Sequence, residues 1–390
     1  MKSSILAVVA CVVLAGTPNP ACAQTWTPTS APTNLWYSVA SSADGSKLVA
    51  VAGGQLSTGP IYTSTNAGAD WNPTLAPVLR WTSVASSADG SKLAAVDYSG
   101  GIYTSADSGA TWSTNSVPAN HWLSIASSAD GLKLAAVFFG SQIFLSTNGG
   151  ATWTSNLTAV ADLQCVTGSA DGSRLVAGNN VGRIGISTNS GAAWVASSSP
   201  LSGPVNSLAA SANGTRLVAL TSATALSNVY TSTNSGNTWT LRSVLANSTW
   251  NAAASSADGT KLTVVSGKNG IYSSANSGAT WVSNSAPHLV WQGVASSADG
   301  NKSVAVLWNG GICISQTAPS PHLNLVSSGN NLDLSWIVPS TKFLLQQNSD
   351  LTTTNWGALP DEPALNLTNL QNEVFLPPSA GQSFYRLATP

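Results

Sequence analysis

Short runs of alternating apolar and polar residues, separated by Asp-Gly turns, dominate the chain. A strand-like run such as Trp81–Ala85 is followed by Ser-Ala-Asp-Gly and then by a second run, such as Lys92–Val96. Alternation with a period of two indicates half-buried strands, and Asp-Gly between two β-rich runs indicates a hairpin. The pattern therefore predicts an all-β protein built from consecutive hairpins.

The hairpins recur at a regular interval. Seven turns of the Ser-Ala-Asp-Gly type occur at successive spacings of 45, 41, 41, 42, 45 and 41 residues. Their third residues are Asp44, Asp89, Asp130, Asp171, Asn213, Asp258 and Asp299. A period of about 40 to 45 residues is typical of four-stranded propeller blades. We therefore predict a seven-bladed β-propeller over residues 24–317.

A second motif follows the turn in six of the repeats. One copy reads Ser-Ala-Asp-Ser-Gly-Ala-Thr-Trp over residues 105–112. The motif resembles the Asp-box, or BNR, repeat found in sialidase-like propellers and in photosystem II assembly factors, where it forms the turn between the third and fourth strands of a blade. The residues that carry the resemblance are Asn66 and Trp71, Asp107 and Trp112, Asn148 and Trp153, Asn189 and Trp194, Asn234 and Trp239, and Asn276 and Trp281.

The chemistry of the box predicts a structural role. Asn replaces Asp in five of the six copies, and either side chain can accept hydrogen bonds from its own turn. Glycine adopts the positive φ that such a turn requires, and the tryptophan buries a large apolar surface against the sheet. We therefore assign these twelve residues to the fold rather than to a ligand.

The last repeat lacks its box. Gln316, Thr317 and Ala318 follow its third strand, without the expected glycine and tryptophan. The segment Thr25–Pro28 reads Thr-Trp-Thr-Pro and matches the end of a box. We therefore predict that the N-terminal strand completes the last blade, which would remove two exposed sheet edges.

The two ends of the chain differ from the repeats. Residues 1–23 combine Lys2, the apolar run Ile5–Leu14 and Ala-Cys-Ala, which predicts a signal peptide and hence a secreted, periplasmic or cell-surface protein. No later segment is apolar over the length that crosses a bilayer. Residues 318–321 are expected to be a linker. The short alternating runs of residues 322–390 predict a small β-sandwich that resembles fibronectin type III modules.

Charge and cysteine content exclude several classes of function. The 390 residues include 14 Lys or Arg and 15 Asp or Glu, for a net charge of -1, which argues against nucleic acid and anionic membranes as partners. Beyond residue 23 only Cys165 and Cys313 remain, at non-equivalent positions, so we expect buried free thiols. The three histidines are far apart, and we predict neither a metal nor a cofactor site.

Asp-box propellers include glycosidases, so the resemblance raises the question of catalysis. Sialidases use three arginines, a tyrosine with a glutamate partner, and an aspartate. Residues 24–317 contain no glutamate, and Arg174 and Arg216 occupy a position that is lysine in other repeats. Most aspartates are turn residues, which leaves no obvious carboxylate pair. We expect a non-catalytic protein, with a carbohydrate-active enzyme of the glycosidase or lyase type as the alternative.

Topology indicates where a ligand would bind. The turns after the first and third strands of a blade share one rim, so loops of unequal length occupy the other, which we call the variable rim. Such loops on a rigid scaffold often carry recognition. We predict an exported, monomeric binding or scaffold protein with an unidentified protein or glycan ligand on this rim. The alternative for each candidate residue is an ordinary loop position, with the aromatic side chains packed between blades. The candidate residues are Arg80, Asp97, Tyr98, His121, Phe138, Asp162, Arg183, Lys268 and Trp308.

Overall fold

The computed structural model describes residues 24–198, 200–222, 227–242, 249–286, 289–317, 323–328, 331–338, 343–360, 362–377 and 383–388. The predicted signal peptide and linker lie outside this part of the chain, as do His288 and His322. All regular elements of the described residues are β-strands, and none of these residues belongs to a helix able to cross a membrane. The predicted all-β class is confirmed.

The propeller contains seven antiparallel blades of four strands each. The innermost strands, from blade one to blade seven, are β2 (Asn34–Ser41), β6 (Trp81–Ser86), β10 (Trp122–Ser127), β14 (Leu163–Gly168), β18 (Val205–Ala210), β22 (Trp250–Ser255) and β26 (Trp291–Ser296). The second strands are β3 (Leu48–Ala52), β7 (Leu93–Asp97), β11 (Leu134–Phe138), β15 (Leu175–Asn179), β19 (Leu217–Thr221), β23 (Leu262–Ser266) and β27 (Lys302–Gly310).

The outer half of each blade is shorter, and its fourth strand is the most exposed. The third strands are β4 (Ile61–Ser64), β8 (Ile102–Ser105), β12 (Gln142–Ser146), β16 (Ile184–Ser187), β20 (Asn228–Ser232), β24 (Gly270–Ser274) and β28 (Ile312–Gln316). The fourth strands are β5 (Asn72–Pro73), β9 (Ser113–Thr114), β13 (Thr154–Leu157), β17 (Val195–Ala196), β21 (Thr240–Arg242), β25 (Val282–Ser283) and, for blade seven, β1 (Thr27–Pro28).

Both ends of the propeller sequence contribute to blade seven. Thr27 pairs with Ile314 and Pro28 with Cys313, so β1 is the outer strand of this blade. The long strand β27 also reaches β2 of blade one, where Leu35 pairs with Trp308. Blades seven and one therefore form one continuous eight-stranded sheet, which the repeat pattern did not predict.

The apolar core lies between neighbouring blades. Trp36 of blade one, for example, packs in one cluster with Val304 and Val306 of blade seven. Five innermost strands carry a fully buried tryptophan at the same position, while Leu163 and Val205 occupy it in blades four and five. Cys165 and Cys313 are buried and unpaired, as predicted.

A ring of backbone hydrogen bonds joins the seven blades at the end of the propeller that carries the Asp-Gly turns. The N–H of each turn alanine donates to the carbonyl oxygen of the next one, at 2.6 to 2.8 Å. In order around this alanine ring the residues are Ala43, Ala88, Ala129, Ala170, Ala212, Ala257 and Ala298, and Ala298 donates back to Ala43. The ring is closed and holds the blades in close contact.

The C-terminal module consists of two sheets. One has the order β29 (Asn324–Ser328), β30 (Asn331–Ile337), β34 (Gln371–Leu376), β33 (Ala364–Asn366), and the other the order β32 (Gly357–Ala358), β31 (Leu344–Asn348), β35 (Phe384–Ala388). Buried Trp336 and Val374 of the first sheet share a cluster with Leu345 and Tyr385 of the second. Its likeness to fibronectin type III modules stays a prediction.

The module also contacts the propeller. Ile337, Val338 and Leu370 pack against the alanine ring. The alanine ring therefore surrounds the propeller's central channel at this end, where apolar side chains of the C-terminal module pack against it.

Candidate functional site

The boxes use their polar atoms within their own turns. Ser105 Oγ accepts from the Gly109 N–H at 2.9 Å, and Asp107 Oδ1 accepts from the Thr111 N–H at 2.9 Å. Ser108 and Gly109 both have positive φ, 59° and 91°, so the turn needs two successive left-handed residues rather than one. The Trp112 indole donates to the carbonyl of Gly109. These interactions give the box a structural role.

In four of the six boxes a threonine hydroxyl accommodates either Asn or Asp. Asn148 donates through Nδ2 to Thr152 Oγ1 at 2.9 Å, whereas Asp107 accepts from Thr111 Oγ1 at 2.6 Å. A hydroxyl can act in either direction. The hydrogen bonds from Thr111, followed by that from Ser105, lower the pKa of Asp107 to about 2.

The basic residues of the Asp-Gly turns join neighbouring blades. Lys92 Nζ donates to the carbonyl oxygen of Asp130 in the next turn at 3.0 Å, and Lys133 Nζ makes the same contact with Asp171 at 2.8 Å. Arg174 donates instead to Ser235 Oγ of the next blade's box at 3.0 Å. These side chains belong to the rim opposite the variable loops, and so lie away from any variable-rim ligand.

Two candidate residues of the variable rim are structural rather than exposed. Asp97 is 3% exposed and accepts the Arg80 N–H at 3.0 Å, and burial raises the pKa of its carboxyl. Phe138 is half-buried against Trp122, with ring centroids 5.6 Å apart. The exposed aromatic of this loop is the next residue, Phe139. The structure therefore gives Asp97 and Phe138 packing and hydrogen-bonding roles within the rim, and their predicted ligand roles stay untested.

Four charged candidate residues of the variable rim lie on separate loops. Arg80, Arg183 and Lys268 are exposed. The described hydrogen bonds of Arg183 and Lys268 involve only their backbone groups, with Asn179 and Ser266 as partners. Asp162 is half-buried at a φ of 58°. The structure does not gather these charges into one site.

The remaining candidates contribute to an aromatic cluster at the mouth of the channel. Tyr98 stacks on His121, with centroids 4.6 Å apart and ring planes within 7°. Trp308 packs edge-on against Tyr37 at 6.1 Å. Burial, and secondarily the nearby Tyr98 phenol, raise the pKa of Tyr37. We call Tyr37, Tyr98, His121 and Trp308 the aromatic cluster; Tyr37 was not among the predicted residues.

Exposed apolar side chains are the feature of the variable rim that sequence reasoning missed. Leu56 and Leu75 are each 88% exposed, and Leu157 is 72% exposed. Among the described residues of the variable loops, the large exposed apolar side chains are Leu56, Leu75, Val78, Phe139, Leu157, Val181, Leu289 and Val290. On the opposite rim, within the same part of the chain, only Leu132 is comparable. The variable rim is therefore the apolar face of the propeller.

The central channel opens on this face as a cavity of about 420 Å³. Each innermost strand has a register shift directly after the position of the buried tryptophan, and the unpaired residue at the shift lines the cavity. From blade one these residues are Tyr37, Thr82, Leu123, Gln164, Asn206, Asn251 and Gln292. No charged side chain lines the cavity among the described residues.

Some of the cavity's polar groups also connect blades. Asn251 Nδ2 donates to the carbonyl of Trp291 at 2.7 Å and contacts Gln292 Oε1 at 3.4 Å. Thr82 Oγ1 donates to the carbonyl of Trp122 at 2.8 Å. The carboxamide of Gln164 makes no hydrogen bond within the part of the chain that the structure describes, and it remains available to a ligand.

Comparisons with known proteins place the chain by its fold. No protein-family model matches it, and no curated protein matches it. Among solved structures, YCF48 from Cyanidioschyzon merolae is 14% identical with a TM-score of 0.58, over 75% of this chain and 98% of that one. A structure of YCF48 bound to D1 peptide is 16% identical with a TM-score of 0.56, over 76% and 98% of the two chains. A chain of a mitotic checkpoint complex is 14% identical with a TM-score of 0.61, over 82% and 100%. These similarities show that the chain has the β-propeller fold.

Proposed function

We propose that the protein is an exported, non-catalytic scaffold that binds a protein or peptide partner on its variable rim. The single observation that carries this proposal is the concentration of exposed Leu, Val and Phe side chains on that rim. Large exposed apolar patches mark protein interaction sites, because their burial against a partner is favourable. The signal-peptide pattern of residues 1–23 supports export.

Backbone hydrogen bonds bring several of these side chains onto adjoining loops. The Leu163 N–H donates to Gly140 O at 3.2 Å and the Thr158 N–H to Ser141 O at 2.9 Å, which sets the loop of Phe139 beside that of Leu157. The Asn180 N–H donates to Asp162 O and brings in the loop of Val181. We define Phe139, Leu157 and Val181 as the apolar patch. Such preformed loops bind with little loss of conformational entropy.

The chemistry of the channel supports binding rather than hydrolysis. Glycosidases place two carboxyl groups roughly 5 to 10 Å apart across the scissile bond. The described residues that line the cavity include no Asp or Glu, and the buried Asp97 accepts the Arg80 N–H of a neighbouring loop. The similarity to YCF48, which has been solved with a bound peptide, supports a peptide or protein as the ligand.

The test compares proteins captured from the native host by residues 24–390 and by variants. Phe139→Ser combined with Leu157→Ser should abolish capture. The matched control is Val195→Ser with Leu241→Ser, which removes two exposed apolar side chains from fourth strands and should leave capture intact. Equal capture by all three proteins would contradict a partner site on the variable rim. N-terminal sequencing of the exported protein tests cleavage before Gln24.

A further inference from the structure

The central channel is closed at one end and open at the other. The alanine ring surrounds its far end, and Ile337, Val338 and Leu370 pack against that ring. The open end is surrounded by the variable loops and by Tyr37 and Gln55. The cavity is therefore a blind pocket, with a volume of about 420 Å³ that falls within the range of small-molecule sites.

Four consecutive blades present a carboxamide to this pocket. Gln164, Asn206, Asn251 and Gln292 come from blades four, five, six and seven. Each carboxamide has an acceptor oxygen and two donor hydrogens, and the described contacts use only part of that capacity. Gln164 makes none of these contacts, and the Gln292 amide nitrogen donates to no described residue, although its oxygen is 3.4 Å from Asn251.

The chemistry of the lining selects the class of ligand. A carboxylate or phosphate would enter a site with no described cation to neutralise it. An apolar ligand would leave the Gln164 carboxamide and the Gln292 amide nitrogen without partners, which is costly. A ligand with many hydroxyl groups meets both donors and acceptors. Trp308 and Tyr37 beside the entrance add aromatic surface, which can pack against the C–H face of a sugar ring.

We propose that the channel binds an uncharged, hydroxyl-rich ligand of the size of a monosaccharide or disaccharide, or the end of a neutral glycan. Gln164 and Gln292 contribute the open hydrogen-bonding groups. The site is separate from the apolar patch of the proposed protein interface. It does not depend on that interface for its function.

The experiment uses isothermal titration calorimetry on residues 24–390. The probes are neutral mono- and disaccharides of glucose, galactose, mannose and N-acetylglucosamine, with sialic acid and glucuronic acid as charged comparisons. At least one neutral sugar should bind, and the acidic sugars should not. The double variant Gln164→Leu and Gln292→Leu keeps side-chain size and should weaken binding at least about tenfold, because two hydrogen-bonding groups are lost.

Two further variants locate the site. Leu123→Trp keeps every carboxamide but fills the pocket, so it should also abolish sugar binding. Phe139→Ser with Leu157→Ser should leave it unchanged, which separates this proposal from that of a protein partner. Thermal melting of each variant checks that it is folded. Absence of binding to every neutral sugar, preference for acidic sugars, or unchanged binding in folded Leu123→Trp would each overturn the proposal.

Discussion

The backbone N–H of Ala298 donates a hydrogen bond of 2.6 Å to the carbonyl oxygen of Ala43, and so joins blade seven to blade one. The same contact is repeated between the alanines of all other neighbouring blades. The side chain at this position must be small, because the ring also packs against the C-terminal module. An alanine in a surface turn is thus a core residue of the propeller.

Enlarging one ring alanine should destabilise the whole propeller. We expect Ala257→Leu to lower the free energy of unfolding by about 1–3 kcal/mol, because added methylene groups strain a close-packed contact. Guanidinium denaturation followed by tryptophan fluorescence measures this. The control is Ala106→Leu at an exposed box position, which should change stability little. Equal stability of the two variants would show that the ring tolerates larger residues.

Removing the indole of Trp26 should weaken the closure of the ring of blades. Trp26 is 5% exposed and packs against Trp291 with centroids 6.2 Å apart. We expect Trp26→Ala to cost about 3–5 kcal/mol, as for other buried tryptophans. Half-buried Trp308 serves for comparison, since Trp308→Ala should cost less. Chemical denaturation of both variants measures the two losses of unfolding free energy. A larger loss for Trp308→Ala than for Trp26→Ala would contradict this expectation.

The Asp-Gly turns should make the propeller sensitive to acid. Burial alone would raise the pKa of Asp89, but hydrogen bonds from Ser87 and Ser91 outweigh it and lower the pKa to about 2. The pKa of an Asp in the unfolded chain is about 4, so the ionised Asp89 carboxylate stabilises the folded state fully above pH 4. This stabilisation is lost as the pH falls through 2. Asp44, Asp130 and Asp171 also have lowered pKa values. Unfolding free energies measured from pH 5 to pH 2 should therefore fall.

One of the seven turns carries Asn in place of Asp, and it suggests the control for this acid dependence. Asn213 occupies the same turn position in blade five and accepts the Thr215 N–H at 3.0 Å. We therefore expect Asp89→Asn to fold and to show a shallower decline of stability between pH 4 and pH 2. An unchanged slope would mean that Asp89 contributes nothing to the acid transition.

A charge at the contact with the alanine ring should uncouple the C-terminal module. We expect Val338→Asp to separate the thermal unfolding of the module from that of the propeller, because a carboxylate facing apolar alanines is unfavourable. Differential scanning calorimetry detects the separation. Val326→Ser changes an exposed position of the module and should leave the profile as in the unaltered protein. An identical profile for Val338→Asp would argue against this contact.

The repeats made the fold predictable, because the same sequence pattern recurs in each blade. The period of the Asp-Gly turns gave the number of blades, and the Thr25–Pro28 segment indicated the source of the final strand. The C-terminal strands followed from simple alternation, as in Leu332–Trp336 within β30. The merging of blades seven and one was not predictable, since it depends on the extra length of β27 beyond its repeat.

The site was predicted less well, for local geometric reasons. Phe138 and Phe139 are adjacent, and the side that each faces depends on where β11 ends. The channel residues were missed because the register shift on each innermost strand takes residues such as Gln164 out of the ladder, and alternation in the sequence does not reveal such a shift. The apolar patch was missed because aromatic and charged residues were favoured over exposed leucine and valine.

The pairing of β1 with β28 also sets the order in which the protein can form. Thr27 is among the first described residues, and its partner Ile314 is synthesised almost at the end of the propeller. The last blade therefore stays incomplete until nearly the whole propeller sequence exists, however early the other six have formed. Contacts this distant in sequence slow folding, since a long loop must close before they form. We therefore expect ring closure to be a late step, and expect the edges of β28 and of the N-terminal strand to be open to other chains until then.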